Sequence, residues 1–274
     1  MTKLTIPPHG GGMGPSAPSL RGMHQSPFTI EATDGQARTG VLSLAHGDVP
    51  TPNFMPVGTR AVVKSLDTAD LEDLGADMVL ANTYHLMLRP GSDLIDRMGG
   101  LHGFTGWEKP MLTDSGGYQV FSLSPKLSED GAVFKSTYDG STVVLRPEDS
   151  MRVQQELGAD VAMAFDELVG LPAERSVVRA AMERTLRWTE RAIAVHERAD
   201  QALFGIVQGG VDLELRAESA RRTAALDLPG FGIGGLSVGE PAEERNAALD
   251  ACIPELPAEK VRYVMGLGDT EGVL

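Results

Sequence analysis

The chain has 274 residues, more than the roughly 100–200 of one ordinary domain but within the range of a single α/β barrel, so it can bury a large core. Its 42% hydrophobic and 23% charged residues exclude a wholly disordered or collagen-like protein. The 24 basic and 38 acidic residues sum to a net charge of −14, which repels phosphate and excludes a non-specific nucleic-acid binder, so any RNA partner has to be recognised locally.

Residues 1–26 are rich in Gly, Pro and Ser and predict a flexible tail, with residues 27–274 forming the main body. The segments PFTIEATD and RTGVLSLAHG flank Gly35 and predict an N-terminal β-hairpin. Short apolar runs then alternate with helical patterns. The runs are NFMPVGT, DMVLANTYH, PMLTDSGG, VAMAFDE, ALFGIVQGG, GFGIGGLSVG and VRYVMGLGD, and they predict seven strands. A long helix is predicted from Ala173 to Arg198.

Near-continuous apolar strands separated by helices indicate a parallel sheet covered on both faces, either doubly wound or closed as a barrel. The polar residues favour the barrel. Strand after strand stays apolar until its last residues, where Asp114, Asp166, Gln208, Gly234 and Gly235 stand, and in a barrel the C-terminal strand ends build one active site. Between Leu123 and Pro147 the segment VFKSTYDGSTVVL reads as an inserted hairpin turning at Asp139 and Gly140. Pro147, Glu148 and Asp149 suit the first turn of a helix.

Asp114 follows an apolar strand and precedes Ser115, Gly116 and Gly117, so it is a candidate general base or nucleophile; Asp-Ser-Gly-Gly is also plain turn chemistry. Asp166 and Glu167 are adjacent and predicted to face opposite ways. An inward carboxylate there could accept two parallel hydrogen bonds from a guanine-like edge, or simply bind a loop amide or an arginine. Gln208 supplies an amide that can donate to a carbonyl oxygen. GFGIGG lacks the spacing of a dinucleotide fingerprint.

On the long helix Arg184, Arg187 and Arg191 share one side and could track an RNA backbone, but the interspersed Glu174, Glu183, Glu190 and Glu197 favour a salt-bridged solvent face, with Trp188 turned to the core. His85 and His102 have no Cys or His at metal spacing and are read as positional or packing residues, so no metal site is expected. The single cysteine, Cys252, rules out an intrachain disulfide and suits a reducing, cytoplasmic compartment. No run of about 18 apolar residues occurs and no secretory-type apolar stretch opens the chain, so a soluble protein without a membrane partner is expected.

The strings FMPVGTR, LANTYHLMLRPG, GWEKPMLTDSGGYQVFSLS, AFDE, MERTLRW, ALFGIVQGG, GGLSVGEP and RYVMGLG together resemble, in unbroken order from about Phe28 onward, the tRNA-guanine transglycosylase family in its bacterial queuine tRNA-ribosyltransferase form. The resemblance implies a (β/α)₈ barrel that flips a guanine out of a tRNA anticodon loop and exchanges it for a 7-deazaguanine precursor of queuosine, and a barrel mouth suits base flipping. By matching motif, Asp114 is then the general acid/base, with Ser115, Gly116 and Gly117 shaping its loop. Asp166 accepts from the Watson–Crick edge, Gln208 and the Gly235 amide bind the six-position oxygen, and Leu236 lends its backbone to the substituent of the incoming base. Tyr118 and Met265 sandwich the base plane. Gly266, Leu267, Gly268, Asp269, Thr270, Glu271 and Gly272 resemble a stretch that touches tRNA. The implied partners are the tRNA anticodon loop, guanine or a 7-deazaguanine, and a second copy in a homodimer.

Two departures qualify the resemblance. Leu168 stands where the family has a cysteine. Family members also continue past the point matched by Leu274 with an eighth strand, an aspartate that attacks the ribose, a basic tRNA-binding segment and a Cys-Cys-Cys-His zinc site. The expectation is therefore a C-terminally truncated member, a barrel without its last strand and with two open edges, holding no zinc or other cofactor within this chain and lacking the family's nucleophile. The alternatives are a non-catalytic base- or tRNA-binding homologue or partner subunit, and a barrel enzyme acting on sugar phosphates.

Overall fold

The computed structural model describes residues 27–268; the predicted tail and residues 269–274, which include Asp269, Thr270, Glu271 and Gly272, lie outside the described residues. Strands β1 (Phe28–Asp34) and β2 (Ala37–Leu44) pair antiparallel about Gly35, whose φ of +59° serves the turn. A third strand, β3 (Gly47–Thr51), extends the predicted hairpin into a meander. Its sequence, GDVPT, carries turn-forming residues and gives no strand signal. Pro50 is tolerated because β3 is an edge strand.

The main sheet is formed by β4 (Val57–Gly58), β5 (Val79–Ala81), β6 (Met111–Thr113), β10 (Val161–Met163), β11 (Ala202–Val207), β12 (Gly230–Ile233) and β13 (Val261–Val264). All neighbours are parallel, and the strands follow one another in chain order across the sheet. A doubly wound sheet reverses its order at a switch point, whereas a barrel-type sheet runs in one direction, so this is the seven-stranded α/β barrel-type sheet expected from the sequence. Strands β5, β6, β10, β11 and β12 are buried throughout, the physical reason their sequences run apolar without alternation.

Helices α1 (Thr68–Asp73), α3 (Ser92–Arg97), α4 (Gly100–Thr105), α6 (Pro147–Leu157), α7 (Arg175–Val195), α8 (Leu213–Ala224) and α9 (Ala242–Cys252) connect the strands. Two short helices were not legible. Helix α2 (Thr83–Leu88) starts at once after β5 in a stretch that reads as strand, and α5 (Gly117–Ser122) starts at once after the Asp-Ser-Gly turn. The insertion holds β7 (Lys126–Ser128), β8 (Gly131–Lys135) and β9 (Thr142–Leu145), a three-stranded antiparallel sheet in place of the predicted hairpin. No helix among the described residues is long and apolar enough to cross a membrane.

The inner core collects Leu80, Leu112, Val161, Met163, Phe204 and Ile206, closed by Phe28, Leu42 and Val49 of the meander. The meander therefore plugs the N-terminal end of the sheet: Arg38 donates to the Ala258 and Lys260 carbonyls ahead of β13, and His46 bonds Asp160 ahead of β10. Glycines in β12 make room for the plug's neighbours. A Cβ on Gly230 would lie 2.4 Å from the Phe204 ring, and one on Gly232 would lie 2.6 Å from Met163 Cε.

His102, read from the sequence as a positional or packing residue, packs against a partner that is distant in the chain. Its ring stacks on His46 with centroids 3.5 Å apart, and the Asp160 carboxylate bridges their edges, Oδ1 2.9 Å from His46 Nδ1 and Oδ2 3.3 Å from His102 Nε2. Spacing along the chain could not reveal this, because 56 residues separate the two histidines and the fold alone joins them. The three donor groups lie within 4.8 Å of one another, but near-parallel stacked rings cannot both aim an in-plane lone pair at one ion, so the corner is better described as a hydrogen-bonded latch.

Burial pushes the Asp160 carboxyl up, and bonds from His102, His46 and the Met111 N–H outweigh it, leaving it far below the ordinary range. The bond to Asp160 raises His46 above its ordinary 6.5, against burial and the Arg198 charge and with help from Asp200. Protonated His46 is thus favoured in the fold; its contribution is complete below about pH 6.5 and is lost as pH rises through the raised value. His46→Gln is expected to lower the thermal midpoint more at pH 6 than at pH 9, and an equal drop at both would refute the latch.

The arginines of α7 are ion-paired as expected; Arg179 meets the helix's own Glu183 at 3.8 Å, but Arg184, Arg187 and Arg191 pair outside the helix. Arg184 bonds Glu129 and Glu167, Arg187 bonds Glu129, and Arg191 bonds Glu148. These partners lie on the insertion, the β10 end and α6, so the stripe clamps α7 to its neighbours. Trp188 is buried and stacks on Phe165, as predicted for a core residue.

Candidate active site

Asp114, Asp166, Gln208 and Gly235 follow the ends of β6, β10, β11 and β12, and the parallel register brings these neighbouring strand ends together. Asp166 is at the centre. Its Oδ1 accepts from Ser115 Oγ at 3.0 Å and its Oδ2 from Gln208 Nε2 at 2.7 Å. Ser115 Oγ also receives the Gly117 N–H, and a Cβ on Gly117 would strike Asp166 Oδ1 at 2.5 Å. Gly235 has φ +64°, and a Cβ there would lie 2.1 Å from Gln208 Oε1. Glycine is required at both positions because the polar side chains pass directly over the backbone.

Asp114 is held more tightly than the sequence reading allowed. Its Oδ1 accepts the Thr83 N–H at 2.8 Å and the Gly116 N–H at 3.1 Å, and its Oδ2 accepts from the Asn82 amide. Asn82 and Thr83, absent from the sequence-derived set, directly follow strand VLA as Asp114 follows strand MLT, so the same strand-end rule finds them. Asp166 and Glu167 do diverge: Asp166 turns to Ser115 and Gln208, and Glu167 pairs with Arg184.

Burial raises Asp114 above the ordinary carboxylate range, against the hydrogen bonds from Asn82, Thr83, Gln119 and Gly116. Burial likewise raises Asp166 to about 6, opposed by Ser115 and Gln208 and assisted by the Asp114 charge. Tyr263 is raised by burial and by Asp114. Two neighbouring buried carboxyls with raised values at the strand ends make a candidate proton-transfer site.

The remaining predicted residues are spread around this centre. Leu236 is buried in the core cluster between β11, β12 and α9. Met265 Sδ lies 3.0 Å from the position of a Cβ on Gly232, at the rim of the inner core, whereas Tyr118 is 62% exposed on α5. Gly266 lies beside Ser237 of the β12 loop, and Gly268 beside Phe54 ahead of β4; Leu267 stands between them.

A model of the family described as queuine tRNA-ribosyltransferase matches residues 33–274. This chain belongs to that family. It is 54% identical over 254 residues to a queuine tRNA-ribosyltransferase of Herpetosiphon aurantiacus, with 92% of this chain and 65% of that protein covered. It is 57% identical over 235 residues to one from Nostoc sp., covering 85% and 63%, and 51% identical over 249 residues to one from Thermus thermophilus, covering 90% and 65%. The chain thus spans a little under two thirds of the length of the curated relatives it matches.

Proposed function

We propose that this chain recognises a guanine-type base extruded from a tRNA anticodon loop and serves its exchange for a 7-deazaguanine, the reaction of a tRNA-guanine transglycosylase in queuosine biosynthesis. The observation that carries the reading is the buried Asp166 carboxylate, which accepts two donors side by side, Ser115 Oγ and Gln208 Nε2, at the meeting point of three strand ends. Adjacent N1–H and N2–H donors of guanine present the same pair of bonds to a carboxylate, and adenine offers no such pair.

In this reading the base edge takes over the bonds on Asp166, freeing the Gln208 amide for the six-position oxygen beside the Gly235 N–H. Asp114, immediately before Ser115 and raised by burial, holds or moves a proton on the base as it leaves or enters. Tyr118 and Met265 contact its faces, Leu236 meets the substituent, and residues 266–272 approach the RNA. These roles draw on no cofactor, and the site suits a cytoplasmic enzyme acting on tRNA, alone or as a homodimer.

The test is incorporation of labelled guanine into unmodified tRNA by the folded chain, and its loss in Asp114→Ala. Guanine binding without exchange would assign a binding-only homologue, and tight phosphosugar binding with indifference to purines would replace the reading altogether. A pH dependence follows as well. Only ionised Asp166 accepts both donors, so guanine affinity is expected to be flat above pH 7 and to fall about tenfold per unit below pH 6. Calorimetric titration at pH 5, 6 and 7.5 checks this, and affinity unchanged at pH 5 contradicts it.

A further inference from the structure

Arg216, on the first turn of α8, is fully buried, and among the described residues no carboxylate lies within ion-pair distance of it. Burying a cation with no carboxylate in contact is strongly unfavourable, and the more distant Glu240 charge offsets it only in part, so its position calls for a compensating arrangement. That arrangement consists of four backbone carbonyls. Nε donates to Gly210 O at 2.5 Å, Nη1 to Val207 O at 3.1 Å and to Gly234 O at 2.7 Å, and Nη2 to Gly235 O at 3.0 Å. The guanidinium thus joins the loop after β11, which carries Gln208, to the loop after β12, which carries Gly235 and Leu236.

The peptide chemistry gives this clamp a direction. The Gly234 carbonyl shares its peptide unit with the Gly235 N–H, and the Gly235 carbonyl shares its unit with the Leu236 N–H. A cation on a carbonyl oxygen withdraws charge through the conjugated unit and makes the N–H at its other end a stronger donor. Neither of these two N–H groups donates to a described acceptor, and Gly234 N–H, by contrast, is spent on Val207 O. Gln208 Oε1 lies directly over Gly235, so the strengthened donor lies at the site.

We propose that Arg216 is a positioning residue for base recognition, a buried cation that aligns the Gly235 and Leu236 peptide units and strengthens the Gly235 N–H as a donor to the six-position oxygen of a purine. The inference rests on the base-recognition reading above. Charge that develops on the six-position oxygen as the purine departs would be stabilised by the same donor, in the manner of an oxyanion hole whose cation stands one peptide behind.

The test compares guanine with 6-thioguanine, which keeps the N1–H and N2–H donors that meet Asp166 but replaces the six-position oxygen by a weakly accepting sulfur. Binding of both is measured by calorimetry to the unaltered chain, Arg216→Met and Arg216→Lys, each confirmed as folded by circular dichroism. Arg216→Met is expected to weaken guanine about tenfold and 6-thioguanine less than about threefold, the difference between a charge-assisted and an ordinary hydrogen bond. Arg216→Lys, which keeps the charge but reaches fewer carbonyls, is expected to weaken guanine about threefold with 6-thioguanine unchanged, and it carries the comparison if the methionine variant does not fold. Equal weakening of the two ligands, the mark of a merely structural clamp, overturns the proposal, as does no weakening of either. Failure of the unaltered chain to bind guanine would instead remove the base-recognition reading, and this inference with it.

Discussion

Asp166→Ala is expected to weaken guanine binding at least about 100-fold while leaving the chain folded. Hydrogen bonds to a charged group contribute about 1.5–3 kcal/mol each, and two of them make about 3 kcal/mol or more, at tenfold per 1.4 kcal/mol. The fold does not depend on this carboxylate. Its value of about 6, against an ordinary 3.8, means that the ionised form is less favoured in the protein than in water. A raised carboxylate detracts from stability as pH rises from 3.8 through 6, so removing it should leave the thermal midpoint at pH 7.5 unchanged or slightly higher. Ser115 Oγ and Gln208 Nε2 lose an acceptor, which offsets part of that gain. Calorimetry and a thermal melt on the same sample decide the matter: unchanged guanine affinity would remove Asp166 from the pocket, and an unfolded variant would assign it to the core instead.

The largest loss of stability is expected from Trp188→Ala. The indole is fully buried on α7, stacked on Phe165 with centroids 4.9 Å apart and planes 17° apart, and its Nε1 donates to the Glu129 carbonyl at 2.9 Å. One side chain therefore joins α7, the β10 end and the insertion. Removing an aromatic ring of this size from a core costs about 3–5 kcal/mol, from a total that for most domains is about 5–15 kcal/mol. Phe165 immediately precedes Asp166, so the cavity also loosens the backbone that aims the carboxylate. Denaturant unfolding is expected to show the loss, with Trp188→Phe losing less than half as much, and guanine affinity should drop alongside. A loss below about 1 kcal/mol would mean that the cluster around Tyr84, Phe134 and Leu145 closes without the indole.

Much of the site was legible because barrel strands write their polar residues in one place. A buried parallel strand tolerates nothing but apolar side chains until its C-terminal end, so Asp114, Asp166 and Gln208 stood out from MLT, VAMAF and ALFGIV. Asn82 obeys the same rule but is hidden in the sequence because TYHL continues the strand-like run, where the structure starts α2. Arg216 gave no signal. On a helix reading LELRAESARRTA, one arginine among three is indistinguishable in sequence from a solvated one, and only the packing of α8 under two glycine loops buries it.

The periodicity of apolar runs, the strand-end acids and the glycines that flank them are local properties, and from them the chain by itself determined a parallel α/β sheet, its seven strands and the strand ends that carry the candidate site, while its ordered motif strings carried the family resemblance. What lies far apart in the chain was decided by the tertiary structure. The meeting of His46 with His102 across Asp160, the pairing of the α7 arginines with Glu129, Glu148 and Glu167, and the grip of Asn82 and Thr83 on Asp114 all depend on where elements dock. A residue's alternation or spacing reports only which side of its own element is apolar; its partners and its protonation are set by the burial and the charges that other segments bring to it.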